Sequence, residues 1–161
     1  MMNSAFTIGA PWALMLALGA MLIAAGVSDF RTRTISNRLN LAIALLAPLY
    51  WWAVGLMLWP GAAIQLGLAL VVFAVFLLFF RLGAMGGGDV KLAAALALWF
   101  APGEMMMMLV VMSLAGAPVT LAAWADHRRS GQEGRTKVPY GIAIAMGAAV
   151  ILAERILNHS A

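Results

Sequence analysis

The chain of 161 residues contains no cysteine. Disulfides, zinc–thiolate sites, iron–sulfur clusters and thiol catalysis are therefore excluded, and any chemistry must come from oxygen or nitrogen groups. Charged residues are also scarce: they make up 10% of the chain, whereas soluble domains carry about 25%. With 65% hydrophobic residues, the chain cannot cover a water-facing surface. A soluble globular domain is thus excluded, and the composition is that of a membrane protein.

The few charges are mostly basic and give a formal net charge of +4. Nucleic-acid binding would require a basic stripe or patch, often interleaved with aromatic residues. Here the basic residues fall in short clusters between apolar runs. We therefore interpret the basic excess as a signal for orientation in a bilayer, and we predict no nucleic-acid partner.

The apolar runs predict membrane-spanning helices, each of which needs about 20 mostly apolar residues. Five runs reach or approach this length, and Glu154 and Arg155 extend the last one by snorkelling. They cover residues 8–28, 39–59, 62–80, 105–125 and 138–153. Residues 126–137 are the only sizeable hydrophilic stretch, and we interpret them as a loop.

A glycine-rich segment at residues 83–91 precedes a short apolar stretch at residues 92–101. That stretch is too short to cross a hydrocarbon core of about 30 Å unless the helix begins at Asp89 or slightly earlier. We therefore expect a short fourth span with its glycine-rich start at headgroup depth. Irregular backbone there must pack on protein or line a wet cavity, which points to a site.

Lysine and arginine counts orient the resulting six spans. With the N-terminus outside, nine of the ten basic residues lie on inner segments and only Arg155 lies outside. The positive-inside rule therefore places the N-terminus outside. The apolar runs predict an all-α, multi-pass protein, which we expect in the cytoplasmic (inner) membrane, and the lack of linkers or repeats predicts a single domain over residues 1–161. Trp12, Trp59 and Trp99 then fall near the outer ends of their spans, as interfacial belts prefer, whereas Trp51 and Trp52 lie deeper.

Two acids, Asp29 and Asp89, lie closest to the inner ends of apolar spans, although they are sixty residues apart in sequence. Two carboxyl groups brought together share a proton, so one serves as a general base for water and the other as a general acid. This is what an aspartic peptidase requires. Gly86, Gly87 and Gly88 fit the same role, because residues without side chains let a substrate backbone approach closely.

Other interpretations of the same acids remain open. Asp89 could be the N-cap of the fourth helix, and Asp29 could be a solvated residue paired with Arg33 one turn later. A small transporter or ion-conducting protein could use both acids to bind protons or cations. A scaffold protein would need neither acid, and the glycine run disfavours it. His127 and His159 lie far apart without a second ligand, so we predict no metal site and no cofactor.

Three segments resemble motifs of the type IV prepilin peptidases, which are membrane aspartic proteases with a Gly-X-Gly-Asp motif. Residues 29–37 (Asp-Phe-Arg-Thr-Arg-Thr-Ile-Ser-Asn) resemble the first aspartate box, with Ser36 in place of the usual proline. Residues 86–91 (Gly-Gly-Gly-Asp-Val-Lys) match the Gly-X-Gly-Asp box and its lysine. Residues 137–141 (Lys-Val-Pro-Tyr-Gly) are similar to the signature that opens the last helix, with Tyr140 in place of phenylalanine.

The resemblance implies an endopeptidase that removes the leader of type IV prepilin-like or preflagellin-like proteins at the cytoplasmic membrane face. Asp29 and Asp89 would be catalytic, and the glycines at 86–88 with Lys91 would shape the site. The partners would be the bilayer and a single-span substrate with a basic leader. Longer family members carry a cytoplasmic region with paired Cys-X-X-Cys motifs linked to N-methylation. Since this chain has no cysteine, it resembles the short form, and no methyltransferase activity is implied.

Overall fold

A computed structural model of the chain describes residues 4–129 and 140–159, and the regular secondary structure of this part is all helical. Three helical segments are long and apolar enough to cross a membrane, namely Gly9–Thr32, Leu58–Arg81 and Tyr140–Asn158. This supports a membrane protein, while six spans and the orientation stay predictions. The α-helices are α1 (Ser4–Thr32), α2 (Asn37–Ala53), α3 (Ala63–Arg81), α4 (Gly87–Ala97), α5 (Pro102–Arg129) and α6 (Tyr140–His159), and a π-helical turn (Leu58–Ala62) precedes α3.

The short helix α4 lies at the centre of the bundle. Its 11 residues extend about 16 Å, half of a hydrocarbon core. It packs against α2, α3 and α6, and most of its side chains are buried. A helix covered on so many sides can be short and apolar all round. The short fourth helix expected from the sequence is therefore present, as a buried element whose first turn carries Asp89.

Five helices end at least four residues from the expected position; among them, α4 ends at Ala97 rather than residue 101, and α6 continues beyond residue 153 to His159. The second ends at Ala53, six residues early, because Gly55 adopts a left-handed backbone (φ 69°) and stops the helix. The first continues beyond residue 28 to Thr32, which puts Asp29 inside its last turn. The fifth continues to Arg129, so residues 126–129 are helical rather than part of a loop. Charged residues continue a helix readily once it has left the apolar layer.

Two tryptophans join α2 to the end of α4 in a reciprocal arrangement. The indole N–H of Trp51 donates to the carbonyl of Leu98 at 2.7 Å, and that of Trp99 donates to the carbonyl of Ile43 at 2.9 Å. Trp99 is 1% exposed and stacks on Tyr50, so its expected place in an interfacial belt is wrong. Because α2 ends at Ala53, Trp51 lies in the last turn of its helix rather than deep in a span, and its indole N–H has a partner in the segment after α4.

A buried amide joins α3 to the residues that follow α4. Gln65 lies in α3, and its side-chain nitrogen faces the carbonyls of Phe100 (2.9 Å) and Ala97 (3.2 Å) in the orientation that satisfies the amide. A buried polar group in an apolar helix needs such a partner. Gln65 therefore links α3 to the end of α4 and the residues after it.

Arg155 and Glu104 form an ion pair near the C-terminal end of α6. The guanidinium binds both carboxylate oxygens, with Nε to Oε1 at 2.6 Å. It also donates to the hydroxyl of Tyr50 (3.2 Å) and the carbonyl of Trp99 (3.0 Å). The side chain expected to snorkel thus ties α6 to α2, to the start of α5 and to the segment that follows α4.

Candidate active site

The first site carboxyl group, Asp29, lies at the end of α1 and touches the start of α6. Its side chain is buried, with 4% of the residue exposed. The backbone N–H of Ile142 donates to Oδ2 of Asp29 at 3.2 Å. Ile142 is in the first turn of α6, where N–H groups have no partner within the helix. Asp29 therefore accepts a hydrogen bond from the N-terminus of α6, and the positive end of that helix dipole favours the negative charge of the carboxylate.

Asp89 lies in the first turn of α4 and is also buried, with 6% exposed. The backbone N–H of Gly86, the residue before the helix, donates to Oδ2 of Asp89 at 3.2 Å. Gly86 occupies the N-cap position, so Asp89 is not the N-cap itself. The carboxyl group nevertheless stabilises its own helix start, as the alternative interpretation supposed, and this leaves a role in chemistry open.

The two acids come from different helices, Asp29 from the end of α1 and Asp89 from the start of α4. The turn between α1 and α2 lies between them. Within this turn Arg33 takes a left-handed backbone (φ 54°), and Ile35 is buried. Ile35 contacts the starts of both α4 and α6: an added Cβ at Gly88 would lie 3.2 Å from its Cβ, and one at Gly141 would lie 2.7 Å from its Cδ1. Two buried carboxyl groups, each at a helix N-terminus, thus flank one apolar side chain.

A family model, described as the type IV leader peptidase family, matches residues 16–121. The chain belongs to this family. The match covers both aspartates and the glycine run, and it confirms the resemblance found in the sequence. Neither a search of curated proteins nor a search of solved structures finds a match. Membership supports a leader peptidase-like function, which implies a membrane protease of the aspartic type.

The glycines at 86–88 lie against protein in the described part of the chain. A Cβ at Gly88 would lie 3.2–3.3 Å from backbone atoms of Ile35, and one at Gly86 would lie 3.1 Å from Oδ2 of Asp89. A Cβ at Gly87 would make ordinary contact with Phe80 at 3.4 Å. Close packing of α4 on the turn thus accounts for Gly88, while the approach of a substrate backbone stays a prediction.

Lys91 projects away from Asp89 and has a partner on α2. Its Nζ donates to Oδ1 of Asn37 at 2.8 Å. Asn40, one turn further along α2, donates from Nδ2 to the carbonyl of Gly88 at 2.9 Å. Two asparagines at i and i+3 therefore tie the first turns of α2 to the start of α4.

Three contributors to the site were not predicted from the sequence: Asn40, Gly141 as a contact of Asp29, and the backbone N–H of Ile142. An added Cβ at Gly141 would lie 2.9 Å from Cγ of Asp29. The spacing of Asn37 and Asn40 after the helix-capping Ser36 was a usable signal for the first of these. No local signal could have paired Asp29 with a backbone group 113 residues away.

The expectations for Arg33, the two histidines and the third motif concern residues that the structure describes only in part. Among the described residues the ion pair is the one between Arg155 and Glu104, so Arg33 is not paired with Asp29. No group of three or more His, Asp or Glu side chains in the described ranges could hold a metal ion. The side chains of His127 and His159 fall outside the described residues, as do residues 137–139 of the third motif.

Proposed function

We propose that this chain is an aspartic endopeptidase that cleaves leader peptides from type IV prepilin-like or preflagellin-like proteins at the cytoplasmic boundary of the inner membrane. The observation that carries the proposal is the pair of buried carboxyl groups of Asp29 and Asp89, placed at the two helix starts that Ile35 contacts, in a member of a leader peptidase family. Membership of a peptidase family gives the transporter alternative no support.

The chemistry follows from the two carboxyl groups sharing one proton. The ionised group takes a proton from water as the water oxygen attacks the scissile carbonyl carbon, and the protonated group stabilises the oxygen that becomes negative. The first group then gives its proton to the leaving amine, the C–N bond breaks, and the pair returns to its starting charge. The helix N-termini at Asp29 and Asp89 favour the ionised form of each group, while burial and mutual repulsion oppose ionisation of both at once.

The place of the site suits a substrate that has a basic leader in the cytoplasm and one apolar helix in the bilayer. Asp29 lies in the last turn of an apolar helix, and Asp89 lies in the first turn of another. A peptide bond at the junction of leader and helix would reach this depth without unfolding the helix in lipid. The chain carries no cysteine, so we propose cleavage without N-methylation.

The direct test expresses each variant with a panel of prepilin-like and preflagellin-like proteins and follows loss of the leader by gel shift and mass spectrometry. Asp29→Asn and Asp89→Asn should each abolish cleavage, because an amide cannot take up and release the proton. Glu154→Gln is the matched control, since it removes an exposed acid of α6 and should leave cleavage intact. Cleavage by either aspartate variant, at wild-type levels of inserted protein, would refute the proposal. The same spectra should show a free, unmethylated amino terminus.

A further inference from the structure

We propose that an apolar groove between α1 and α6 binds the transmembrane helix of the substrate and brings the peptide bond that precedes this helix to Asp29. The inference rests on the proposed function and deepens it by naming the surface that holds the substrate beyond the two aspartates. The groove has a volume of about 470 Å³. Residues between 19 and 27 of α1 and between 142 and 156 of α6 line it, and all of them are apolar or glycine.

The groove is open on the outside of the helix bundle. Ile23 and Met146 form its rims and are 70% and 51% exposed, whereas Leu22 and Leu152 lie at its floor and are 2% and 6% exposed. Both helices belong to segments that are long and apolar enough to cross a membrane. An apolar helix that moves within the bilayer can therefore reach this surface without passing through the protein.

Small residues form the seam along which α1 and α6 pack. An added Cβ at Gly26 would lie 3.7 Å from Cβ of Ala145, and one at Gly19 would lie 3.3 Å from Cδ2 of Leu152. These contacts occur in opposite order on the two helices, so α1 and α6 run antiparallel. Ala149 continues the lining on α6 and is exposed. Helices associate in lipid through such small residues, because these let two backbones approach closely.

One end of the groove lies at the candidate active site. Ile142 lines the groove, and its backbone N–H donates to Oδ2 of Asp29 at 3.2 Å. Ala149 and Ile156 lie about 10 and about 21 Å further along α6. A substrate helix laid along the groove would contact it over about 14 residues, and the peptide bond before the helix would lie beside Asp29. The proposed substrate joins its leader to its apolar helix at this same place.

A second groove in the described part of the chain fits this substrate less well. It lies on α4 between α2 and α3, has a volume of about 290 Å³ and includes Lys91 in its lining. A charged side chain suits the surface of an apolar helix less well than methyl groups do. The residues whose N–H groups bind the two aspartates, Ile142 and Gly86, do not line it. The groove between α1 and α6 is therefore the one that leads from the apolar layer to Asp29.

Disulfide cross-linking tests this placement in a chain that has no cysteine of its own. The Asp29→Asn variant, which should bind a prepilin without cutting it, also receives Ala149→Cys or Ala153→Cys, and the prepilin carries one cysteine at successive positions of its apolar helix. Ala149→Cys should cross-link best about 7 residues after the cut and Ala153→Cys about 11 residues after it, because the substrate helix rises along α6 from the level of Ile142. Ala69→Cys is the matched control in the second groove and should not cross-link.

Filling the groove should weaken substrate binding without slowing the chemistry. With Asp29 intact, Ala149→Phe should raise KM for the prepilin by about 10-fold and leave kcat within about 2-fold, since it removes contacts made equally in the ground and transition states. Ala149 lies two turns from Ile142, so the added ring does not reach the carboxyl group. Ala69→Phe adds the same ring in the second groove and should cleave like the wild type.

Other occupants of the groove predict different results. If only lipid fills it, neither cysteine variant cross-links to the prepilin. If a second copy of the chain covers it, Ala149→Cys links two copies and added prepilin does not compete. Either result would overturn the inference, as would a KM for Ala149→Phe no higher than that for Ala69→Phe. Cleavage of the prepilin by Asp29→Asn, or no cleavage by the wild type, would instead mean that the proposed function itself fails.

Discussion

At the scale of single residues, the site depends on groups placed where a helix begins. Asp29 accepts a hydrogen bond from the N–H of Ile142 at the start of α6, and Asp89 accepts one from the N–H of Gly86 at the start of α4. Each helix start offers backbone donors with no partner inside the helix, and each carboxyl group satisfies one of them. The same hydrogen bonds fix the orientation of the two carboxyl groups. For the proposed reaction, this orientation matters more than the stability that the hydrogen bonds add to the helices.

Gly141 tests this placement directly. We expect Gly141→Ala to lower cleavage by about 10- to 100-fold, because a Cβ would lie 2.9 Å from Cγ of Asp29 and 2.7 Å from Cδ1 of Ile35, and a small displacement of Asp29 is costly if it acts as proposed. The measurement is the rate of leader removal per folded protein. Gly67→Ala is the control, since a Cβ there has open space, and it should cleave like the wild type. Equal rates for the two variants would show that Asp29 does not depend on this contact.

At the scale of secondary-structure elements, the position of α4 determines where Asp89 lies relative to Asp29. This helix is anchored at its start by Asn40 and by close packing of Gly88 on Ile35, and after its end by the hydrogen bonds of Trp51 and Trp99. Anchors at both ends hold a buried helix too short to be fixed by lipid contacts alone. A shift of α4 would move Asp89 relative to Asp29, because the two acids belong to different helices.

Alanine substitutions at the adjacent residues Gly87 and Gly88 distinguish the effect of packing from that of helix propensity. Gly88→Ala should lower the free energy of unfolding by about 1–3 kcal/mol, because its Cβ would press on backbone atoms of Ile35 that cannot move aside. Gly87→Ala should be neutral or slightly stabilising, since its Cβ makes ordinary contact with Phe80 and alanine favours a helix. Thermal unfolding in one detergent, followed by circular dichroism, compares the two. A larger loss for Gly87→Ala than for Gly88→Ala would contradict this account of the packing.

At the scale of the whole molecule, polar interactions lie near both ends of α6. Asp29 contacts the first turn, and Arg155 pairs with Glu104 about 20 Å further along the helix. The Cζ atom of Arg155 also lies 5.3 Å from the ring centroid of Phe100 and 5.7 Å from that of Tyr50. The carboxylate of Glu104 and the two aromatic rings therefore both stabilise its positive charge. This cluster holds the helices together at a distance from the site.

The Arg155–Glu104 pair predicts non-additive stability. Arg155→Met and Glu104→Gln should each lower the free energy of unfolding by about 2 kcal/mol, because each leaves a partly buried charge without its partner. The partial exposure of both side chains keeps this cost below that of a fully buried pair. The double variant should lose less than the sum of the two. Unfolding midpoints of the four proteins form the cycle, and strictly additive losses would mean that the pair does not interact. Leader removal per folded protein should stay near wild type in all four.

Composition and short motifs were enough to predict a helical membrane protein of the leader peptidase family, because apolar run length and the boxes around Asp29 and Asp89 are local features of the chain. Local signals also located the short helix after the glycines, but they misjudged the end of α2, where Gly55 stops the helix while the sequence stays apolar. Only the tertiary structure decided that α6 begins against Asp29, that Ile35 lies between the two helix starts, and that Trp99 and Asn40 are buried. These contacts join residues far apart in the chain, and through-space packing leaves no mark in the sequence around any one of them.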